Sequence, residues 1–229
     1  MIQPLLLAGG HSTRMGTRKE LLCVYNEIPV YEHQLIRLRI ACPDADAVYL
    51  SLPNPGALAP ILENPRIERL TETSLQLYHE KFTFPVHVLY DDADVGPAGG
   101  LLAAHRDDPD ASWLVVACDY PFFSISAMKQ LYKETTTPVT CFENSDGIYE
   151  PLLGIWSGPA LSHLEENVKN GILGPKSVIL KSQGKTIRPL DENWLYNMNT
   201  PVEYEGALRM RDYIASITDD IGTFDHVHS

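Results

Sequence analysis

The chain has 229 residues, 44% of them hydrophobic, enough to bury one substantial core. Its 30 acidic and 18 basic residues leave a formal charge of −12, which argues against a nonspecific electrostatic grip on nucleic acid or an anionic membrane, so a polyanionic ligand must meet locally concentrated positive charge. No apolar run approaches the roughly 20 residues that span a bilayer, no secretory pattern opens the sequence, and Cys23, Cys42, Cys118 and Cys141 form no C-x-x-C pair; the expectation is a soluble cytoplasmic protein with reduced thiols.

In chain order, an apolar β-prone run at Pro4–Leu7 leads into a glycine-rich loop, and apolar residues at helical spacing follow at Val30–Ala41. A strand at Ala47–Leu52 precedes a long excursion from Pro53 to Phe84, which reads as an insertion or lid with a helix around Glu72–Glu80. Strands at Val86–Tyr90, Trp113–Ala117 and Val139–Phe142 then alternate with helices at Ala98–His105, Ser124–Glu134, Pro159–Lys169 and Pro201–Tyr213. Ser124 and Thr200 suit N-caps, and Pro201 suits a first helical position. This alternation predicts an α/β fold, a doubly wound, mainly parallel sheet with helices on both faces, as one domain over residues 1–213. Residues 214–229 read as a mobile acidic tail, with His226 and His228 as ordinary surface histidines.

The loop after the first strand is AGGHSTRMGTRK. Gly9 and Gly10 let backbone N–H groups approach phosphate oxygens, and Arg14 and Lys19 supply positive charge. The spacing matches neither G-x-G-x-x-G nor G-x-x-x-x-G-K-[ST]. It fits LAGG-x-S-x-R-M-G-x-x-K through Leu7, Ala8, Gly9, Gly10, Ser12, Arg14, Met15, Gly16 and Lys19. This resembles the signature loop of the nucleotidyltransferases similar to molybdenum-cofactor guanylyltransferase, the MobA-like NTP transferases, which have a Rossmann-like fold.

Three later segments share the resemblance. In VLYDDADVGPAGGLLAA, Asp91 stands at the family's base-contacting acidic position, Gly96 and Pro97 at its G-P and Gly100 at its last glycine, while Ala98-Gly99 replaces the common Leu-Ala. WLVVACDYPFF places Asp119 and Pro121 in a D-x-P turn at the end of a strand, with Tyr120 departing from the usual residue. WLYNMNTPVEY supplies Asn197, Asn199, Thr200 and Pro201, with Val202 at the usual acidic place. YEPLLGIW, Lys176 and Ser51 are weaker echoes.

The resemblance implies nucleotide contacts from Leu7, Ala8, Gly9, Gly10, Ser12, Lys19, Asp91, Gly96 and Asp119, catalytic roles for Arg14, Lys19 and Asp119, Mg²⁺ on Asp119, and acceptor contacts from Asn197 and Asn199. A lone carboxylate suffices for Mg²⁺, which keeps waters and shares substrate phosphates. Structural alternatives stand beside each role: a solvated loop carboxylate at Asp91 or Asp92, a helix cap at Asp119, and caps at Asn199 and Thr200. The implied reaction is Mg²⁺-dependent transfer of a nucleotide, with GTP favoured, to a phosphorylated acceptor such as molybdopterin-bound molybdenum, releasing pyrophosphate. Related cytidylyl or sugar-phosphate transfer, or a non-catalytic nucleotide-binding regulator of the same fold, are the alternatives. No nucleic-acid or membrane partner is expected, and the protein is expected as a monomer or small homo-oligomer.

Overall fold

The computed structural model describes residues 2–9, 15–25, 27–91 and 95–215. Strand β1 (Ile2–Leu7) is followed by a short 3₁₀ turn at Lys19–Leu21, a small ribbon of β2 (Cys23–Tyr25) and β3 (Ile28–Pro29), and helix α1 (Val30–Ala41). Then come β4 (Val48–Leu52), the short α2 (Ala59–Leu62), β5 (Ile67–Arg69), β6 (Ser74–His79) and β7 (Phe82–Tyr90). Helix α3 (Ala98–Asp107) leads to β8 (Ser112–Ala117), and α4 (Ile125–Glu134) to β9 (Val139–Glu143) and β10 (Tyr149–Trp156). The chain continues through α5 (Gly158–Lys169), α6 (Lys176–Ser182) and β11 (Lys185–Ile187) to α7 (Pro201–Ala215).

Nine strands form one sheet in the order β11-β9-β10-β8-β1-β4-β7-β6-β5. The centre, β8, β1, β4 and β7, is parallel, whereas β10 and β6 run antiparallel to their neighbours. The parallel strands are apolar at successive positions because both faces are covered. Leu6, Leu50, Val88 and Val116 enter one core with residues of α1 and α4, while Leu5, Leu7, Leu89 and Val115 enter the other with residues of α3 and α5. The chain leaves β1 through α1 towards β4, and leaves β8 through α4 towards β9 on the opposite side. The carboxyl ends of β1 and β8 therefore flank a topological switch point, where open α/β sheets bind ligands.

The expected helix around Glu72–Glu80 is instead strand β6. Leu75 and Leu77 are buried while Ser74, Gln76 and Tyr78 are not, a period of two that suits a half-covered strand. β6 pairs antiparallel with β7, setting Leu75 opposite Val86 and Leu77 opposite Phe84. The excursion thus lengthens one edge of the sheet. Residues 216–229, including His226 and His228, lie outside the described residues, and no described helix is long and apolar enough to cross a membrane.

Candidate active site

The first strand ends in a closely packed corner. The Ala8 N–H donates to the Ser51 carbonyl at 2.9 Å, and the Cys118 N–H donates to the Leu7 carbonyl at 3.0 Å. Leu7 and Ala8 are thereby tied to the ends of β8 and β4, and the Ala8 amide is already used. Gly9 lies against the β4 terminus, where an added Cβ would come 3.4 Å from the Pro53 nitrogen. Gly10, Ser12 and Arg14 lie outside the described residues. The chain resumes with Met15, buried among Val24, Val30, Phe122 and Met198, and this anchor precedes the turn that carries Lys19.

Lys19 reaches across to the opposite strand end. Its Nζ lies 3.3 Å from Asp119 Oδ2 and donates to Asn199 Oδ1 at 2.5 Å. Only 15% of the Lys19 side chain and 22% of the Asp119 side chain remain accessible, so the pair is screened less than a surface ion pair. Burial pushes the Asp119 carboxyl above the ordinary carboxylate range, opposed by Lys19 and by a hydrogen bond from Asn197. The Asp119 carbonyl also accepts from the Met198 N–H at 2.8 Å, which ties the 197–199 strap to the end of β8.

The helix-cap alternative for Asp119 fails, because Ser124 Oγ caps α4 by accepting from the Ala127 N–H at 3.1 Å. For the strap, the helix-cap expectation holds at Thr200. Thr200 Oγ1 accepts from the Glu203 N–H at 3.3 Å, and Glu203 Oε2 accepts from the Thr200 hydroxyl at 3.0 Å and the Asn199 N–H at 2.7 Å. This is a variant of the capping box in which the carboxylate takes the N–H one residue before the cap. It uses the Asn199 backbone and leaves its side chain on Lys19. The carboxylate missing at Val202, whose side chain is exposed, is supplied one residue later by Glu203.

Asp91 follows β7, two strands from β1, with its N–H donating to the Leu52 carbonyl at 2.9 Å. The residue is half-buried, and its carboxylate fills the space beside the first turn of α3: an added Cβ at Gly99 would sit 2.0 Å from both carboxylate oxygens. The replacement of the common alanine by Gly99 is therefore matched to the position of Asp91. Gly96, at φ 61°, turns the chain into α3. Ser51 is buried beneath that helix, where an added Cβ at Gly100 would come 2.8 Å from its Oγ. Asp92 lies outside the described residues.

Glu150 was legible only as part of YEPLLGIW. Its Oε2 accepts from the buried Tyr120 hydroxyl at 2.7 Å, and burial pushes its carboxyl upward, eased by that bond and by Lys176. Tyr120 thus links the Asp119 turn to β10 at the point where the strand register shifts. A signal was available in the pairing of an unusual tyrosine in the D-x-P turn with an acidic residue opening a later strand, but nothing in sequence spacing shows that they meet.

The cleft presents a hard-oxygen set: the Asp119 carboxylate, Asn199 Oδ1, and Asn197 Oδ1, which is buried without a hydrogen-bond partner. Among the described residues no group of three or more His, Cys, Asp or Glu side chains gathers at a point. One carboxylate with amide oxygens fits Mg²⁺ completed by water and phosphate, and lacks the sulfur and imidazole that favour zinc.

The sequence pattern of the MobA-like NTP transferase domain matches residues 4–186 of this chain. The chain belongs to the MobA-like NTP transferase family. A relative from Synechococcus elongatus, named as a probable molybdenum cofactor guanylyltransferase, is 28% identical over 209 residues, covering 88% of this chain and 95% of that protein. The molybdenum cofactor biosynthesis bifunctional protein of Synechocystis is 28% identical over 113 residues, 48% of this chain and 33% of its own length, so the match takes in about a third of that relative. The crystal structure of molybdopterin-guanine dinucleotide biosynthesis protein A from Archaeoglobus fulgidus superposes with a TM-score of 0.66 at 18% identity, over 93% of this chain and 100% of that one. As a MobA-like NTP transferase, the protein is a nucleotidyltransferase. Its Lys19 and Asp119 lie in segments that follow the two strands flanking the switch point.

Proposed function

We propose that the protein, acting as a single cytoplasmic catalytic domain, transfers GMP from GTP to a phosphorylated acceptor such as molybdopterin-bound molybdenum, with release of pyrophosphate. The observation that carries this reading is the contact of Lys19 with Asp119 and Asn199, which joins the glycine-rich loop, the D-x-P turn and the C-terminal strap at one point. The names of the relatives support the guanylyl donor and the pterin acceptor.

An acceptor phosphate oxygen forms a bond to the α-phosphorus, the bond from that phosphorus to the bridging oxygen breaks, and pyrophosphate leaves. Amides from Gly9 onward and the Lys19 ammonium hold the triphosphate, with Arg14 adding charge from the same loop. Asp119, with the Asn199 and Asn197 oxygens, would hold Mg²⁺, which when bound supplies Lewis-acid neutralisation of phosphate charge. Lys19, at the end of the glycine-rich loop, would direct its charge towards the phosphates. A phosphate monoester has a second pKa of about 6 and is largely deprotonated at neutral pH, so no strong general base is required. Asp91 can accept from the N1–H and exocyclic amine of guanine, and the amides of Asn197 and Asn199 would meet the acceptor.

The test is pyrophosphate release by pure protein with Mg²⁺ and each NTP in turn, with and without molybdopterin or sugar phosphates. Release that depends on both GTP and molybdopterin is expected. Release with CTP or with a sugar phosphate alone would replace the donor and acceptor, and Mg²⁺-dependent GTP binding with no release for any acceptor would favour the regulatory alternative.

A further inference from the structure

Helix α1 buries four polar side chains, Glu32, His33, Gln34 and Arg37, and two of them meet the segment after Asp119: Gln34 is 0% accessible and Arg37 is 7% accessible. A buried guanidinium is costly unless its donors are satisfied. The partners here are carbonyl oxygens, and all belong to the segment that follows Asp119. Gln34 Nε2 donates to the Tyr120 carbonyl at 2.9 Å, and Arg37 Nη1 donates to the Pro121 carbonyl at 2.8 Å and the Phe123 carbonyl at 3.2 Å. Residues three apart on a helix share a face, so one side of α1 grips the carbonyls of residues 120, 121 and 123.

The same guanidinium touches the other half of the site. Its carbon lies 5.3 Å from the centroid of the Tyr25 ring. Tyr25 stacks on His33 at 4.4 Å and meets Phe122 edge-on at 6.0 Å. It ends β2, which begins two residues after the 3₁₀ turn opened by Lys19, and that turn is joined to α1 by the Val30 N–H donating to the Leu22 carbonyl at 2.8 Å. Arg37 therefore contacts both the segment that aims Asp119 and the strand that follows Lys19.

We infer that Arg37, assisted by Gln34, is a positioning residue that sets the geometry of the Lys19–Asp119 pair and thereby the affinity of the site for a divalent cation with nucleotide. This rests on the metal role proposed for Asp119. Arg37 touches no reacting atom; it acts through the backbone of residues 120–123. Residues that orient metal ligands in this way typically change metal affinity or activity about 10- to 100-fold when mutated.

The experiment compares wild type with Arg37→Met, Arg37→Lys and Gln34→Leu, using Arg66→Met as a control. Arg66 pairs with Glu32 of α1 at 2.5 Å, so its loss perturbs the same helix through a different contact. Mn²⁺ binding with GTP present is followed by electron paramagnetic resonance, Mg²⁺ dependence by pyrophosphate release, and local order by amide hydrogen exchange over residues 119–123, each well below the melting point of the variant. Arg37→Met is expected to weaken Mn²⁺ binding and raise the half-saturating Mg²⁺ concentration about tenfold, with faster exchange at 120–123. Arg37→Lys should recover part of the loss, and Arg66→Met should lower the melting temperature without moving the metal readouts. Should Arg37→Met fail to fold, Gln34→Leu carries the same test. Wild-type metal affinity together with unchanged exchange in the folded variant would overturn the inference and return Arg37 to a purely structural role. If wild type itself binds no Mn²⁺ with GTP, the metal role of Asp119 fails; the positioning role then stands or falls on the exchange data alone.

Discussion

Lys19 lies between two oxygens that a cation would seek, Asp119 Oδ2 and Asn199 Oδ1. Lys19→Ala is expected to weaken triphosphate binding and turnover together, as read by nucleotide titration and pyrophosphate release; unchanged values for both would remove it from the site. The same substitution has a pH signature. Burial raises the Asp119 pKa and Lys19 opposes that rise, so without Lys19 the carboxyl protonates at higher pH. Divalent-cation binding should then be lost at a higher pH on acidification than in wild type. Asp119→Asn tests the carboxylate itself. Loss of several kcal/mol of charge stabilisation implies a rate drop on the order of a hundredfold or more. Stability should behave differently. With its folded pKa raised, Asp119 contributes most favourably below its unfolded pKa, and that contribution is lost as pH rises through the folded value. At neutral pH and without metal, Asp119→Asn should therefore melt no lower than wild type. A large fall in melting temperature would mean that the charge is structural.

Helix α3 and the Asp91 segment are matched as elements. A methyl at Gly99 would fall on the Asp91 carboxylate, which is the mobile end of a side chain and can yield, while alanine favours a helix interior by roughly 1 kcal/mol over glycine. Gly99→Ala is accordingly expected to leave the melting temperature equal or raised, while reducing discrimination between GTP and ATP in KM. Retained discrimination would detach Asp91 from base recognition. Element boundaries follow the same local logic. Val30–Ala41 is a helix at the expected limits, and Ser124 caps α4 as its hydroxyl and position suggest. The stretch 72–80 misleads because its polar residues imitate a helical stripe. Its alternation of Leu75 and Leu77 gains meaning only opposite Val86 and Phe84 of β7.

For the whole molecule, the edge strands decide whether residues 53–84 are an appendage or part of the load on the sheet. Leu77 of β6 is completely buried in the same core as Leu6 and Leu50 of the central strands. Leu77→Ala should therefore cost about 2–5 kcal/mol in urea unfolding, with a single transition monitored by tryptophan fluorescence and circular dichroism. A cost near zero, or a separate early transition, would make the excursion an independent flap.

The residues themselves determined the α/β class with a parallel centre, because strands covered on both faces must be apolar throughout and alternate with helices. Through the family resemblance of three short patterns they also implied a common site, with Lys19 and Asp119 on the nucleotide and metal and Asn197 and Asn199 on the acceptor. What only the tertiary structure decided are meetings between groups distant in the chain: Lys19 with Asn199, Tyr120 with Glu150, the Asp91 carboxylate with Gly99, and Arg37 with the carbonyls of Pro121 and Phe123. Local sequence records periodicity and residue chemistry, whereas such contacts depend on strand order and register, which arise only when the whole sheet closes its core.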